Sequence, residues 1–78
     1  MTQEMQFKTI VAQYCSVAPE EMTEEMRFRE DLGFSSLDFM SFLGELEDTF
    51  DVELEEEDAL QVLTIGEALE LMKRLQDE

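Results

Sequence analysis

The chain contains no histidine and only one cysteine, Cys15. The absence of histidine excludes Ser-His-Asp and Cys-His catalysis, because both need an imidazole as the general base, and it removes the commonest transition-metal ligand. A single cysteine can form neither a disulfide framework nor a cysteine-based zinc site. We therefore expect Cys15 to pack as a small apolar side chain.

Basic residues are also scarce, with five lysines and arginines against 21 aspartates and glutamates and a net charge of −16. No basic residue lies between Arg29 and Lys73. This charge disfavours nucleic acids and anionic membranes as partners and favours proteins with basic patches. The acidic stretch from Asp51 is not an EF-hand loop, because its sixth and twelfth positions are Glu56 and Val62 in place of Gly and Glu. We predict no specific metal site.

Long apolar runs are missing as well, since no segment approaches the roughly 18 apolar residues that a membrane-spanning helix needs. The polar N-terminal stretch lacks the basic-then-apolar layout of a signal peptide. Seventy-eight residues suffice for one small domain. We therefore predict a single domain over residues 1–78, with no membrane span, that is monomeric and cytoplasmic.

Helical periodicity covers most of the chain. The spacing of apolar residues predicts helices over 2–16, 36–50 and 56–61 and a last helix that begins at Thr64. In the short third helix, Ala59, Leu60 and Val62 are expected to face inward. The connection over 17–34 is expected to contain one helical turn and to be pinned by its own apolar residues. Those candidate pins are Met22, Phe28 and Leu32.

The stretch from Asp31 to Asp38 reads Asp-Leu-Gly-Phe-Ser-Ser-Leu-Asp. Gly33 allows the chain to change direction at positive φ without a Cβ penalty. Ser35 followed three residues later by Asp38 is a helix-start signature, because the hydroxyl caps a backbone N–H and the carboxylate suits the positive end of the helix dipole. Ser36 then lies in the first exposed turn, where an attached phosphate would meet unpaired N–H groups.

This motif resembles the modification motif of the acyl carrier proteins, and the resemblance covers nearly the whole chain. The matching positions outside the motif are Phe28, Phe42, Leu46, Glu47, Asp48, Phe50, Asp51, Leu54, Thr64 and Ile65. The resemblance implies an all-α fold, a small antiparallel four-helix bundle of three main helices and one short helix. It also implies that Ser36 carries 4′-phosphopantetheine through a phosphodiester and an acyl group as a thioester on that arm. The protein would then act as a carrier, not an enzyme, in fatty acid biosynthesis or a dedicated acyl-transfer pathway.

One position of the motif departs from the family, which usually has Asp where this chain has Ser35. In the family that Asp is associated with metal-assisted transfer of the arm. Two adjacent hydroxyls are therefore candidates for modification, and Leu37-Asp38 fixes the register on Ser36. We interpret Arg27 and Arg29 as solvated residues that pair with nearby acids, and a role in binding CoA phosphates during modification is the alternative.

The resemblance also implies which residues meet partners and cargo. The recognition positions carried over to the second helix are Leu37, Asp38, Met40, Glu47 and Asp48. The implied partners are a phosphopantetheinyl transferase and acyl-transferring and chain-elongating enzymes with basic docking patches. The family holds its acyl chain between the helices. The candidates for lining that space, each of which is equally explained by plain core packing, are Phe39, Phe42, Leu46, Val62, Ile65 and Ala68.

Two alternatives stay open beside this reading of the sequence. Ser41 and Gly44 replace the acidic and larger apolar residues that the family usually has on the docking face, which favours a specialised carrier for polyketide or aminoacyl cargo. The other alternative is an unmodified acidic helical adaptor that binds a basic protein surface. The motif argues against this adaptor, while the missing Asp before Ser36 keeps the hypothesis open.

Overall fold

The computed structural model describes residues 2–77. Within that range the chain forms four α-helices and no β-strand: α1 (Gln3–Ala12), α2 (Ser36–Phe50), α3 (Glu56–Gln61) and α4 (Ile65–Asp77). A 3₁₀ turn at Pro19–Glu21 interrupts the long connection between α1 and α2. None of the described helices has the length and apolar character needed to cross a membrane. The predicted all-α, four-helix fold is confirmed.

Helix α1 is shorter than its sequence pattern predicts. Thr2 caps its start, because the Thr2 hydroxyl accepts the N–H of the residue three positions later at 3.1 Å. The predicted end at residue 16 is wrong, since the helix stops at Ala12. Gln13 and Tyr14 donate to carbonyls only three residues back, at 3.1 and 3.0 Å, which tightens the last turn. Tyr14 and Cys15 then pack, half-buried, against the core.

Phe42 of α2 lies at the centre of the core, with none of its surface exposed. Its ring centroid is 5.6 Å from that of Phe7 on α1, 5.4 Å from that of Phe28 and 5.6 Å from that of Phe34. Phe28 and Phe34 belong to the connection between α1 and α2, so aromatic packing fixes this segment on the core. The three predicted pins, Met22, Phe28 and Leu32, are all buried, as expected.

The same connection is also held to the chain that leads into α4. The Phe28 N–H donates to the carbonyl of Leu63 at 3.1 Å, and the Ile65 N–H donates to that of Met26 at 3.0 Å. Between these bonds, Arg27 and Thr64 form an isolated antiparallel bridge. The backbone on both sides of Arg27 therefore has a fixed position relative to the rest of the bundle.

Helix α3 differs from the prediction in one residue. Ala59 is buried and Val62 is half-buried, as expected, but Leu60 is 74% exposed. Successive residues of an α-helix are rotated by about 100°, so a helix of six residues that presents Ala59 to the core turns Leu60 outward. The expectation that Leu60 faces inward is wrong.

Candidate functional site at the start of helix α2

A tight turn brings the chain to the start of α2. The Arg27 N–H donates to Oδ2 of Asp31 at 2.8 Å, and the Asp31 N–H donates back to the Arg27 carbonyl at 3.0 Å. The Phe34 N–H donates to the Phe28 carbonyl at 2.8 Å, which closes the turn. Gly33 adopts a φ of +75° inside it, a conformation that glycine reaches without strain.

The predicted helix start at Ser35 and Asp38 is formed, and it takes the form of a capping box in the first turn of α2. The Asp38 N–H donates to the Ser35 hydroxyl at 3.1 Å, and the Ser35 N–H donates to Oδ2 of Asp38 at 3.2 Å. This reciprocal pair is the arrangement expected from the spacing of the two residues. It commits the hydroxyl of Ser35 to the helix cap. The two adjacent serines therefore have different local roles.

Ser36 is exposed, and its hydroxyl takes no part in the cap. Its Oγ accepts a hydrogen bond of 3.1 Å from Nη2 of Arg29. Within residues 2–77, the backbone N–H groups of Ser36 and Leu37 have no acceptor, as expected for the first turn of a helix. A phosphodiester on Ser36 would thus meet a guanidinium and two free N–H groups at the positive end of the helix dipole. These residues fit an attached anionic group.

Three of the five predicted docking residues lie on the open surface of α2. Leu37 is 78% exposed and Met40 is 64% exposed, although both are large and apolar. Asp48 is exposed on the same helix, as are Ser41 and Gly44. The surface beside Ser36 therefore presents apolar side chains together with negative charge.

The other two predicted docking residues are half-buried, and their carboxylates accept backbone N–H groups that stabilise the fold. Asp38 belongs to the capping box. Glu47 accepts the N–H of Leu54 through Oε2 at 3.0 Å. This bond holds the loop after α2, where Asp51 adopts a positive φ of 54°. The carboxylates of Asp38 and Glu47 add negative charge to α2, but neither is free to turn toward a partner without breaking a bond.

The six candidate acyl-lining residues divide into two groups. Four lie in the closed core, with no more than 4% of their surface exposed: Phe42, Leu46, Ile65 and Ala68. Phe39 and Val62 are half-buried and line an open groove of about 280 Å³, together with Arg29, Leu60 and Leu63. The structure does not bring the six residues around one cavity.

Two contacts at the site lie beyond the reach of sequence patterns. Arg29 reaches Ser36 across seven residues of loop, and the sequence carries no periodic signal for such a contact. Tyr14 donates a 2.9 Å hydrogen bond to Oε1 of Glu45, 31 residues away. Burial raises the pKa of Tyr14, and the hydrogen bond to Glu45 and the negative charges of Glu45 and Asp38 add to this effect.

Comparison with known proteins identifies the family. The profile described as "Phosphopantetheine attachment site" matches residues 6–72. The chain is 35% identical to an acyl carrier protein of Lactobacillus johnsonii over 99% of this chain and 100% of the relative. It is 34% identical to an acyl carrier protein of Sulfurovum sp. over 87% of this chain and 91% of the relative.

The fold leads to the same family. The solved structure of an acyl carrier protein from Enterococcus faecalis superposes with a TM-score of 0.81 at 26% identity, and the match covers 92% of this chain and 91% of that one. Family membership implies a covalently attached 4′-phosphopantetheine and not an unmodified adaptor. The chain belongs to the acyl carrier protein family.

Proposed function

We propose that residues 1–78 form one carrier domain that holds acyl groups on a 4′-phosphopantetheine arm attached to Ser36. The observation that carries this proposal is the exposed Ser36 hydroxyl, which stands free of the capping box in the first turn of α2. When attached, the arm supplies a terminal thiol that holds the acyl group as a thioester. The proposed pathway is fatty acid biosynthesis or a dedicated acyl-transfer pathway in the cytoplasm.

The residues around Ser36 hold the attachment point and leave the chemistry to partner enzymes. The turn closed by Asp31 and the capping box at Ser35 and Asp38 fix the backbone on both sides of Ser36. A fixed and exposed attachment point allows different enzymes to meet the arm in the same orientation. We therefore propose a carrier that delivers its cargo and does not itself catalyse a reaction.

Intact mass spectrometry tests the attachment site. The apo protein is incubated with CoA, Mg²⁺ and a broad-specificity phosphopantetheinyl transferase, beside Ser36→Ala and Ser35→Ala. We expect the wild type and Ser35→Ala to gain one phosphopantetheine and Ser36→Ala to gain none. Modification lost only in Ser35→Ala would place the arm one residue earlier. No gain with this enzyme or the host's own transferase would refute the carrier function.

The Ser35→Asp variant tests the meaning of the departure from the family motif. It restores the carboxylate that the family usually has before the modified serine, and Asp is also a good N-cap residue. We expect faster Mg²⁺-dependent modification of Ser36 in this variant. A rate equal to that of the wild type would show that Ser35 does not limit modification.

Partner docking is proposed to use the exposed surface of α2. Leu37 and Met40 would bury their side chains against a partner, while Asp38, Glu47 and Asp48 attract its basic patch. Exposed charges mainly govern the rate of association, so docking should weaken as salt is added. The proposed partners are a phosphopantetheinyl transferase and acyl-handling enzymes, which meet the carrier as a monomer.

Met40→Ala and Leu63→Ala form a matched pair for this docking surface, because both side chains are 64% exposed and only Met40 belongs to α2. We expect Met40→Ala to raise the KM of the transferase for the carrier several-fold and Leu63→Ala to leave it nearly unchanged. Equal effects of the two substitutions would contradict a docking surface confined to α2.

The acyl chain is proposed to lie against the residues predicted from the family. Phe39 and Val62 already line an open groove, so short cargo can contact them without rearrangement. Contact with Phe42, Leu46, Ile65 or Ala68 requires the core to open, because all four are buried. Chemical-shift changes on loading a short and a long acyl chain would distinguish the two groups. Shifts confined to the arm and Ser36 would contradict cargo binding by the bundle.

A specialised carrier is the second candidate, and the exposure of Ser41 and Gly44 on α2 favours it. A small and uncharged surface at these positions suits partners different from those of a carrier with acidic and larger apolar residues there. Loading assays with fatty acyl, polyketide-type and aminoacyl donors and their transferring enzymes separate the candidates. Preferential loading of fatty acyl groups would reject the specialised carrier.

A further inference from the structure

The hydrogen bond made by the Arg29 side chain is not the one expected of a solvated arginine that pairs with a nearby acid. Its Nη2 donates a 3.1 Å hydrogen bond to Oγ of Ser36, although both residues are exposed and the chain has 21 carboxylate side chains available as partners. Among the described residues, no carboxylate lies within 4.0 Å of the Arg29 guanidinium. This guanidinium is therefore directed at the attachment oxygen and not at an acid.

Arg27 shows the contrasting behaviour in the same loop. Its Nη1 binds Oε2 of Glu30 at 2.8 Å, so its charge is already paired. Arg27 follows the sequence expectation that these arginines pair with nearby acids, and Arg29 does not. The next basic residue after Arg29 is Lys73. Arg29 thus provides an uncompensated positive charge beside Ser36 in a strongly acidic protein.

We propose that Arg29 binds the phosphate of the arm once Ser36 is modified, and that it thereby anchors the start of the arm to the protein. This inference rests on the proposed function. Modification turns the Ser36 oxygen into a phosphate ester whose non-bridging oxygens share one negative charge. A neutral hydroxyl is a weak partner for a guanidinium, whereas a phosphate oxygen forms a charge-assisted hydrogen bond. The guanidinium offers five N–H donors in a planar arrangement that suits phosphate.

The backbone around Arg29 supports such an anchoring role. Phe28, the residue before Arg29, is buried and packs against Phe42, and its N–H is hydrogen-bonded to the carbonyl of Leu63. The backbone next to Arg29 is therefore fixed to the bundle. Arg29 also borders the open groove that contains Phe39. An arm held at its phosphate therefore begins beside this groove. Arg29 is a positioning residue, because it touches the arm but not the thiol that carries cargo.

Phosphorus NMR of the modified protein tests the proposal without reference to carrier activity. Wild type, Arg29→Ala and Arg27→Ala are each converted to the modified form, verified by intact mass, and their ³¹P spectra are recorded during a NaCl titration. We expect a salt-dependent phosphodiester shift in the wild type and in Arg27→Ala. In Arg29→Ala we expect the low-salt resonance to move to the position seen at high salt and to lose its salt dependence.

The Arg27→Ala control removes one positive charge from the same loop, so it separates direct contact from general electrostatics. Identical spectra for wild type and Arg29→Ala would overturn the proposal. Equal changes in both variants would overturn it too, because they would report only the net charge of the loop. Failure of every variant and the wild type to gain the arm refutes the proposed function instead, and the mass spectrum shows this before any NMR is recorded.

A second measurement uses the wild type alone, in case Arg29→Ala is modified poorly. The side-chain Nε–Hε resonances of Arg29 and Arg27 are compared before and after modification of ¹⁵N-labelled protein. We expect the Arg29 resonance to shift on modification and that of Arg27 to stay in place. An unmoved Arg29 resonance, or equal shifts of the two, would overturn the anchoring role.

Discussion

The hydroxyl of Tyr14 donates a 2.9 Å hydrogen bond to Oε1 of Glu45 and so joins the segment after α1 to the middle of α2. The Tyr14 ring also packs against Phe34 and Phe42, with centroid distances of 5.7 and 6.2 Å. The hydrogen bond needs the phenol in its neutral form, since a phenolate has no proton to donate to the carboxylate. The chain thus contains a contact between the segment after α1 and α2 that depends on pH.

We predict that alkaline pH weakens the fold through Tyr14. Burial, the hydrogen bond to Glu45 and nearby negative charge raise the pKa of Tyr14 above its ordinary value of 10.0. The unfolded chain therefore loses the phenol proton first, and the stability that the neutral phenol contributes is lost as pH rises from 10.0 through the raised pKa. Absorbance titration of the single tyrosine gives this pKa, and urea unfolding at several pH values gives the loss of stability.

Tyr14→Phe is the control for this pH dependence. It keeps the ring and removes the titrating hydroxyl, so above pH 10 its free energy of unfolding should fall less steeply than that of the wild type. Lysine deprotonation and other alkaline effects are common to both proteins. Equal slopes for the two proteins, or a tyrosine pKa at or below 10.0, would contradict the predicted coupling.

We predict opposite roles for the hydroxyls of Ser35 and Ser36 in stability. Ser35→Ala removes the N-cap of α2 and should lower the free energy of unfolding by about 0.5–2 kcal/mol. Ser36→Ala should change it much less, because the Ser36 hydroxyl only accepts a bond from the exposed Arg29. Urea unfolding of the two apo variants provides the measurement. A larger loss in Ser36→Ala than in Ser35→Ala would contradict the assignment of the cap.

Whether a feature of this site can be predicted from the sequence depends on how far apart along the chain its interacting residues lie. The capping box at Ser35 and Asp38 was predictable because both partners lie in one turn and their spacing fixes their geometry. The burial of Phe28 followed from the need to pin a long connection. Membership of the family came from the motif, which local spacing places at the start of α2.

Other features needed the three-dimensional structure. The prediction that Leu60 faces inward was wrong. A helix of six residues is too short for the spacing of its apolar residues to show which side chains face the core. The Arg29–Ser36 contact depends on how the intervening loop closes, and the Tyr14–Glu45 bond depends on how the segment after α1 packs on α2. Neither arrangement can be predicted from the amino-acid composition or from the spacing of residues along the chain.

We predict that the same substitution has opposite effects at two glycines. Gly33 has a φ of +75°, so Gly33→Ala should lower the free energy of unfolding by about 1–2 kcal/mol, the cost of a left-handed conformation for an L-residue. Gly44 lies within α2, so Gly44→Ala should raise it by about 0.5–1 kcal/mol through reduced backbone entropy.

The two glycines are matched because, apart from the adjacent residues and the local helix backbone, no atom lies within 4 Å of an added Cβ at either position. The opposite signs therefore come from the backbone alone and not from packing. Denaturant unfolding of both variants under identical conditions gives the comparison. Changes of the same sign would show that the turn at Gly33 relaxes or that the middle of α2 gains nothing from alanine.

We predict that the folded protein is stabilised by salt because its net charge is −16. The molecule measures 32 × 28 × 20 Å, and the Debye length is about 30 Å at 0.01 M salt and about 8 Å at 0.15 M. At low salt each carboxylate is therefore repelled by the other carboxylates across the whole molecule. At higher salt only carboxylates that are close together repel one another. Since unfolding moves these charges apart, low salt favours the unfolded chain.

Raising NaCl from low to physiological concentration should accordingly increase the Tm measured by far-ultraviolet circular dichroism, and Mg²⁺ should do so at lower concentration. Arg29→Ala makes the net charge one unit more negative and should increase the size of this rise. Arg27→Ala should add the same increment of repulsion but also lose its 2.8 Å ion pair with Glu30. A Tm that stays level or falls during the titration would mean that ion pairs, which salt weakens, outweigh the repulsion among the acids, although the described residues contain only two such pairs.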